Sequence, residues 1–336
     1  MTHKAKKSLG LKSVHRFARA KKSLGLNKFL EENLSPDFSF HRAKKNLGQN
    51  FLKSQSALRV MCSAGDVNKK DIILEIGPGK GALTEKLLEK ADTVVAVEKD
   101  HNLFNFLQEK FHEEIKNNKL ILIESDILKF DPASVIFNFC SGPRTREDEE
   151  PDHSQKLKLL RRVTYKLIAN IPYNITGAIF KKFLSSDFQP EKMILLVQKE
   201  VAERIVCRNN KESILSLSVK AYGTPKYIMK VNKRFFTPSP KVDSAIIAIN
   251  NISKKNFKNI SEENNFFNII KMGFAHKRKI LRKNLENLSK SQEFLEVGLP
   301  EILGIFEKLG IDQNVRAEDV SFEKWLLISR NLSTDM

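Results

Sequence analysis

The stretch "DIILEIGPGKGALTEKLLEKA", Asp71 to Ala91, constrains the fold more than any other. A short apolar run ends in glycines, and a segment with Leu83, Leu87 and Leu88 on one helical face follows at once. The pattern repeats. "TVVAVEKD" predicts a second strand and "NLFNFLQEKFHEEI" a second helix, then "KLILIESD", "YKLIANIPY" and "KMILLVQ" predict three more strands. Strands alternating with helices imply an α/β fold, a mostly parallel Rossmann-like sheet with helices on both faces. "YIMKVN" and "AIIAIN" lie close together with no long helix between them, which predicts an antiparallel pair at one edge.

Three regions frame this core. After Asn251 the strand pattern stops, and "NNFFNIIKMGFAH", "KILRKNLENL", "LPEILGIFEKLG" and "SFEKWLLISRNL" all carry helical periodicity. Residues 43–251 therefore read as an α/β domain and 252–336 as a smaller all-helical C-terminal domain. Between Pro132 and Val163 the alternation breaks around the acidic run "REDEEPDH", so residues 133–162 read as an insertion. Residues 1–42 form a basic arm with no acid before Glu31. It holds "AKKSLGL" twice, and the related "AKKNLGQ" follows at Ala43–Gln49. This arm is expected to be disordered when free and to add phosphate affinity; a transit peptide, which would be richer in arginine, is the rival reading.

Charge narrows the partner. Lys and Arg number 58 against 40 Asp and Glu, for a net charge of +18. A surplus that large and that clustered favours a polyanion, nucleic acid first. No apolar run approaches the ~18 residues of a membrane span. The cysteines Cys62, Cys140 and Cys207 are too scattered for a disulfide framework or a zinc site and read as ordinary thiols, so no metal is expected.

The glycine loop carries the first chemistry. Gly77, Gly79 and Gly81 let the backbone approach a ligand at a helix N-terminus. The spacing is G-x-G-x-G rather than the G-x-G-x-x-G of dinucleotide binders. Glu75, two residues ahead of Gly77, suits a cationic amino-acid tail better than a pyrophosphate. Glu98 ends the next strand, placed for the hydroxyls of a ribose, and Asp126 ends the third, placed for an adenine amine. Three strand ends in succession therefore point to S-adenosylmethionine, with S-adenosylhomocysteine as product, on a class I methyltransferase sheet. Taken singly, either acid reads equally well as a solvated strand end.

The acceptor side is "NIPY", Asn170–Tyr173, at the end of the fourth strand. An exocyclic amine of a base is a poor nucleophile because its lone pair is delocalised into the ring. Two acceptors, the Asn170 side-chain oxygen and the Ile171 carbonyl, could hold its hydrogens as the nitrogen turns tetrahedral. Pro172 fixes that carbonyl's direction, and Tyr173 can stack on the base. A capped turn with a packed tyrosine is the plainer alternative. In "FFTPSPKVDS" Phe236 is expected to clamp the base's other face and Phe235 to pack in the core.

Taken together, "KKNLGQNFL", "LEIGPGKGALT", "VVAVEKD", "ESDILKF", "NIPYNIT", "LLVQKEVAERI", "FTPSPKVDS", "FAHKRKILRKNL" and "VRAEDVS" closely resemble the rRNA adenine dimethyltransferase family of the small-subunit, kasugamycin-sensitivity type. The resemblance spans about Ala43 to Leu332. It implies transfer of two methyls to each of two adjacent adenines near the 3′ end of small-subunit rRNA, during ribosome biogenesis, by a cytoplasmic monomer acting on the rRNA or the assembling subunit. It also implies that Asn50 and Leu52 fold over the cofactor, Gly77 meets its methionine part, and Asn170 touches both cofactor and target. Lys199, Arg204, Lys241 and the basic run Lys277, Arg278, Lys279, Arg282 and Lys283 would face RNA.

Three other readings stand beside this one. A sister group that methylates a large-subunit adenine and confers macrolide resistance often carries Ile at the position of Ile171; "KVDS" and "NVRAEDVS" favour the small-subunit type. DNA adenine methyltransferases use a related turn with a proline where Ile171 stands. A non-catalytic RNA-binding or assembly factor could use the same fold.

Overall fold

The computed structural model describes residues 43–44, 47–140, 163–286, 288 and 298–332. The basic arm and most of the expected insertion lie outside the described residues. Seven strands form one sheet: β2 (Ile72–Ile76), β3 (Thr93–Glu98), β4 (Leu120–Glu124), β5 (Tyr165–Asn170), β6 (Lys192–Gln198), β7 (Thr224–Val231) and β9 (Ser244–Asn250), in the order β4-β3-β2-β5-β6-β9-β7. The first five are parallel. β9 runs antiparallel to both β6 and β7, so the late pair forms the expected antiparallel edge. Strands buried on both faces read as unbroken apolar runs. "TVVAVE" and "MILLV" do so, and every residue of β3 is buried.

Helices α1 (Gln55–Ala64), α2 (Ala82–Leu88), α3 (His101–Lys110), α4 (His112–Lys116), α5 (Pro132–Cys140), α6 (Thr176–Leu184), α7 (Lys199–Ile205) and α8 (Ile214–Lys220) accompany the sheet. The expected second helix is two, because Phe111 leaves helical geometry between α3 and α4. The segment read as an insertion opens with α5, whose Ile136 is fully buried in the main core, so the chain around residues 133–136 belongs to the fold.

The order in which strands are added reverses between the parallel neighbours β2 and β5: β3 and β4 extend the sheet on one side of β2, and β5 and β6 on the other. In open α/β sheets a crevice forms there, outside the carboxyl ends of the strands. A second, two-stranded ladder closes over that edge: β1 (Phe51–Leu52) pairs antiparallel with β8 (Phe236–Thr237).

The C-terminal helices are α9 (Ile260–Gly273), α10 (Leu281–Leu285), α11 (Leu299–Lys308) and α12 (Phe322–Leu332). Asn259 caps α9 by accepting from Glu262 N at 2.9 Å. Gly273 is needed where α9 meets Trp325, since an added Cβ would lie 2.3 Å from the indole. These helices share one apolar cluster with the sheet. Tyr222, between α8 and β7, joins the two parts by stacking at 5.9 Å on Phe267 and donating to Glu263. Among the described residues no helix is long and apolar enough to cross a membrane.

Candidate functional site: a cavity at the strand ends

A cavity of about 540 Å³ opens at the carboxyl ends of the strands. Its walls include Asn50, Leu52, Glu75, Gly77, Gly79, Glu98, Asp126 and Asn170–Tyr173. Residues from four strand ends and from the segment preceding α1 thus meet in one place.

The loop after β2 turns through three left-handed residues, Gly77 (φ +62°), Gly79 (φ +60°) and Gly81 (φ +77°). L side chains rarely adopt this region, which glycine reaches without steric cost. A Cβ on Gly79 would press the Phe51 ring at 3.0 Å, and one on Gly81 the Phe111 ring at 2.5 Å. A Cβ on Gly77 would meet nothing within 4 Å, so the missing side chain leaves open space in the cavity wall.

Glu98 is nearly buried at the end of β3. It accepts from Gly79 N at 3.1 Å, Lys99 N at 2.9 Å and Asp100 N at 2.9 Å. A carboxylate has about four lone-pair sites, so these bonds fix its position and leave capacity for a hydroxyl donor. Burial raises its pKa, and the three backbone N–H groups oppose that rise. Asp126 accepts from Leu128 N and from Lys99 Nζ, each at 2.9 Å. The Lys99 hydrogen bond, aided by that of Leu128, lowers its pKa.

Glu75 is the electrostatic anomaly. It is 2 % exposed and its Oε2 has no hydrogen-bond partner among the described residues. Burial pushes its carboxyl up to about 8; the neighbouring Thr84 hydroxyl pulls it down, and the charge of Glu98 adds to the rise. A buried carboxyl lining a cavity with an orphaned oxygen suits a cationic group that would satisfy it. With the gap at Gly77 and the two acids beyond, this donor set fits S-adenosylmethionine: an ammonium, a ribose diol and an adenine amine.

Asn170 ends β5, and its Nδ2 donates to the Asn50 carbonyl at 3.0 Å. That bond commits the amide nitrogen and turns Oδ1 into the available acceptor. Pro172 (φ −59°, ψ 132°) then carries the chain out of the strand into the short 3-10 turn Tyr173–Ile175. Tyr173 is anchored by a 2.6 Å hydrogen bond between its hydroxyl and Ser244 Oγ, leaving the ring half-buried at the cavity wall.

Sequence reasoning missed the clasp that holds Asn50 in place. Asp100, 4 % exposed, accepts from Lys44 Nζ at 2.7 Å and Gln49 Nε2 at 2.9 Å, and caps α3 through Asn102 N. Burial alone would raise the Asp100 pKa, but these partners outweigh it and lower it. The acid two residues after Glu98 was the available signal.

One expectation is corrected. Phe236 lies in the core at 3 % exposure, paired with Leu52, whereas Phe235 is 36 % exposed. Phe236 opens β8 and turns inward opposite Leu52, whereas Phe235 closes the 3-10 turn Lys233–Phe235 ahead of it and faces out. Neither ring lines the cavity.

The residues expected to face RNA are dispersed. Lys199 pairs with Glu203 at 3.6 Å and Arg204 with Glu200 at 2.8 Å. Arg204 and Lys277 line a second cleft, about 1200 Å³, between α6–α8 and α9. Lys277, Arg278 and Lys279 are exposed on the turn before α10, Lys283 is exposed on α10, and Lys241 is exposed in the loop before β9. Arg282 is half-buried and donates to Gln313 O at 3.1 Å. No group of three or more His, Cys, Asp or Glu is placed to hold a metal ion among the described residues.

The sheet order and the acids at its successive strand ends define a Rossmann-like class I S-adenosylmethionine-dependent methyltransferase. Its kind follows from the match of residues 40–333 to the ribosomal RNA adenine dimethylase family, to which the chain belongs. A relative from Dehalococcoides mccartyi (strain CBDB1), ribosomal RNA small subunit methyltransferase A, is 38 % identical over 84 % of this chain and 86 % of its own length. The protein of that name from Clostridium botulinum (strain Kyoto / Type A2) is 34 % identical over 86 % of this chain and 92 % of its own. Among solved structures, a dimethyladenosine transferase from Plasmodium falciparum aligns with TM-score 0.64 at 24 % identity, covering 83 % of this chain and 95 % of that one. The 23S rRNA methyltransferase ErmE aligns with TM-score 0.62 at 20 % identity over 84 % of this chain and all of that one. Both structures share the fold.

Proposed function

We propose that this protein dimethylates the exocyclic amines of two adjacent adenines near the 3′ end of small-subunit rRNA, in the cytoplasm, during ribosome assembly. One observation carries the chemistry. The Asn170 amide is locked by the Asn50 carbonyl with its oxygen as acceptor, at the mouth of a cavity whose other walls suit the methyl donor. The relatives named as small-subunit enzymes favour that substrate over the large-subunit reading.

The bound sulfonium supplies a methyl group that is already activated. The protein's task is placement and electrostatics. Asn170 Oδ1 and the Ile171 carbonyl accept the two amine hydrogens, which draws the nitrogen lone pair out of conjugation. Tyr173 offers a ring face to the base, and its bond to Ser244 holds that face still. Gly77 leaves room for the methionine part, Glu75 receives the ammonium, Glu98 the ribose and Asp126 the adenine. Asn50 and Leu52 form the covering wall. No strong base is needed, because the proton becomes acidic once the nitrogen carries its new methyl.

For the RNA, Lys241, the Lys277–Lys279 turn, Lys283, Arg282, Lys199 and Arg204 supply positive charge, with residues 252–336 as the principal RNA-binding part. Intact donor-site acids and an oriented Asn170 favour an active enzyme over a purely structural assembly factor. The test is labelled methyl transfer onto unmethylated small and large ribosomal subunits side by side. Label in small-subunit rRNA supports the reading, and label in the large subunit alone overturns it.

A further inference from the structure

The loop between β7 and β9 holds a feature the donor site does not use. From Lys230 to Asp243 the sequence is "KVNKRFFTPSPKVD", with four cations and a single acid. That acid, Asp243, is occupied: Lys230 Nζ lies 2.9 Å away, and Lys233 N donates to its Oδ1 at 3.0 Å. Lys233, Arg234 and Lys241 are exposed, as is Val242 at 45 %. In their midst Phe235 presents its ring to solvent at 36 % exposure, with the Arg234 guanidinium 5.1 Å from the ring centroid. Arg234 N bonds to the Asn232 side chain and Ser239 Oγ to the Lys233 carbonyl, each at 3.0 Å, so the loop is well defined.

Its position is fixed relative to the catalytic mouth. Phe235 O accepts from Lys53 N at 2.8 Å, extending the β1–β8 ladder that covers the cavity. At the other end Ser244, next to Asp243, holds the Tyr173 hydroxyl. The exposed ring therefore lies on a loop tied at both ends to walls of the site, yet outside the cavity itself.

We propose that Phe235 and Arg234 form a stacking platform for a nucleobase next to the target adenine, in single-stranded or locally opened RNA, with Lys233 and Lys241 on the flanking phosphates. This rests on the RNA methyltransferase reading above. A base taken out of a stack leaves its neighbour with an uncovered face. An exposed aromatic beside a guanidinium covers such a face without regard to sequence. Lysines on either side supply the salt-dependent phosphate contacts.

The probe is a single-stranded RNA carrying 2-aminopurine immediately beside the target adenine pair. Wild type should change its fluorescence on binding, Phe235→Trp should retain the change, and Phe235→Ala should abolish it while weakening RNA binding about tenfold. Arg234→Gln should show a smaller loss. S-adenosylmethionine affinity and the thermal midpoint should stay at wild-type values, since Phe235 lies outside the cavity and the core. Equal fluorescence change and equal RNA affinity in Phe235→Ala and wild type would overturn the platform. Methyl transfer by wild type to small subunits is measured alongside. Its absence would overturn the enzymatic reading, while the fluorescence comparison would still decide the platform.

Discussion

The Asn170 side-chain amide donates to the Asn50 main-chain carbonyl at 3.0 Å, across 120 residues of sequence. The bond decides which end of the amide faces the site. Asn170→Ala removes the acceptor and leaves the acids and the glycine loop untouched. We expect donor binding, measured by calorimetry, to change little while methyl transfer falls by at least ~100-fold, the scale for losing one oriented transition-state hydrogen bond. Equal loss of both would make Asn170 a donor-site residue only.

Glu98 holds the loop as well as facing the cavity, so truncation and neutralisation should differ. Glu98→Ala should weaken the donor by ~1–3 kcal/mol, the range for hydrogen bonds to charged groups. Glu98→Gln keeps one acceptor oxygen and should lose less. A dissociation constant unchanged in both would rule out contact with the ribose.

Asp100 offers a separate handle on the same amide. Its carboxylate ties down Lys44 and Gln49, and the chain then runs directly to Asn50. We expect Asp100→Asn to lower the rate constant for transfer at saturating donor and RNA by more than it lowers donor affinity. Hydrogen exchange at residues 47–52 should rise in parallel. A variant with unaltered exchange and turnover would show that the clasp is dispensable.

Glu75 sets a pH dependence. Its carboxyl sits at about 8 in the fold against an ordinary 4.5. Between those values the folded chain keeps a proton that the unfolded chain has lost. Stability from this group is therefore full below its unfolded pKa and is lost as pH rises through about 8. Glu75→Gln cannot ionise, so its thermal midpoint should fall less than that of wild type between about pH 5 and about pH 9. Donor affinity should rise with pH in wild type, as the carboxylate forms to meet the ammonium, and should be flatter in the variant. Parallel curves would mean that Glu75 is not the titrating partner.

Much of this site was legible in the sequence because its groups fall where apolar runs stop. Glu98, Asp126 and Asn170 each close or follow a strand, and the glycines mark the turn between β2 and α2. Strand ends can be read from a local pattern, whereas pairings across the chain cannot. Nothing near "KKNLGQNFL" says that Asp100 will clasp Lys44 and Gln49. The two-residue strands β1 and β8 are too short to show a period. The insertion of β9 between β6 and β7 depends on sheet packing that no single segment encodes. Phe235 and Phe236 are chemically identical, so only the place of Phe235 in the turn before β8, and of Phe236 opposite Leu52, separates the ring in solvent from the ring in the core.

The aromatic seam at Tyr222 has a last consequence. It merges the C-terminal helices and the sheet into one apolar interior, so the span from the basic turn at Lys277 to the amide of Asn170 is set by packing rather than by a hinge. The molecule works as a caliper. Its two jaws, the basic turn and the Asn170 amide, keep one fixed separation because the same packed interior carries both.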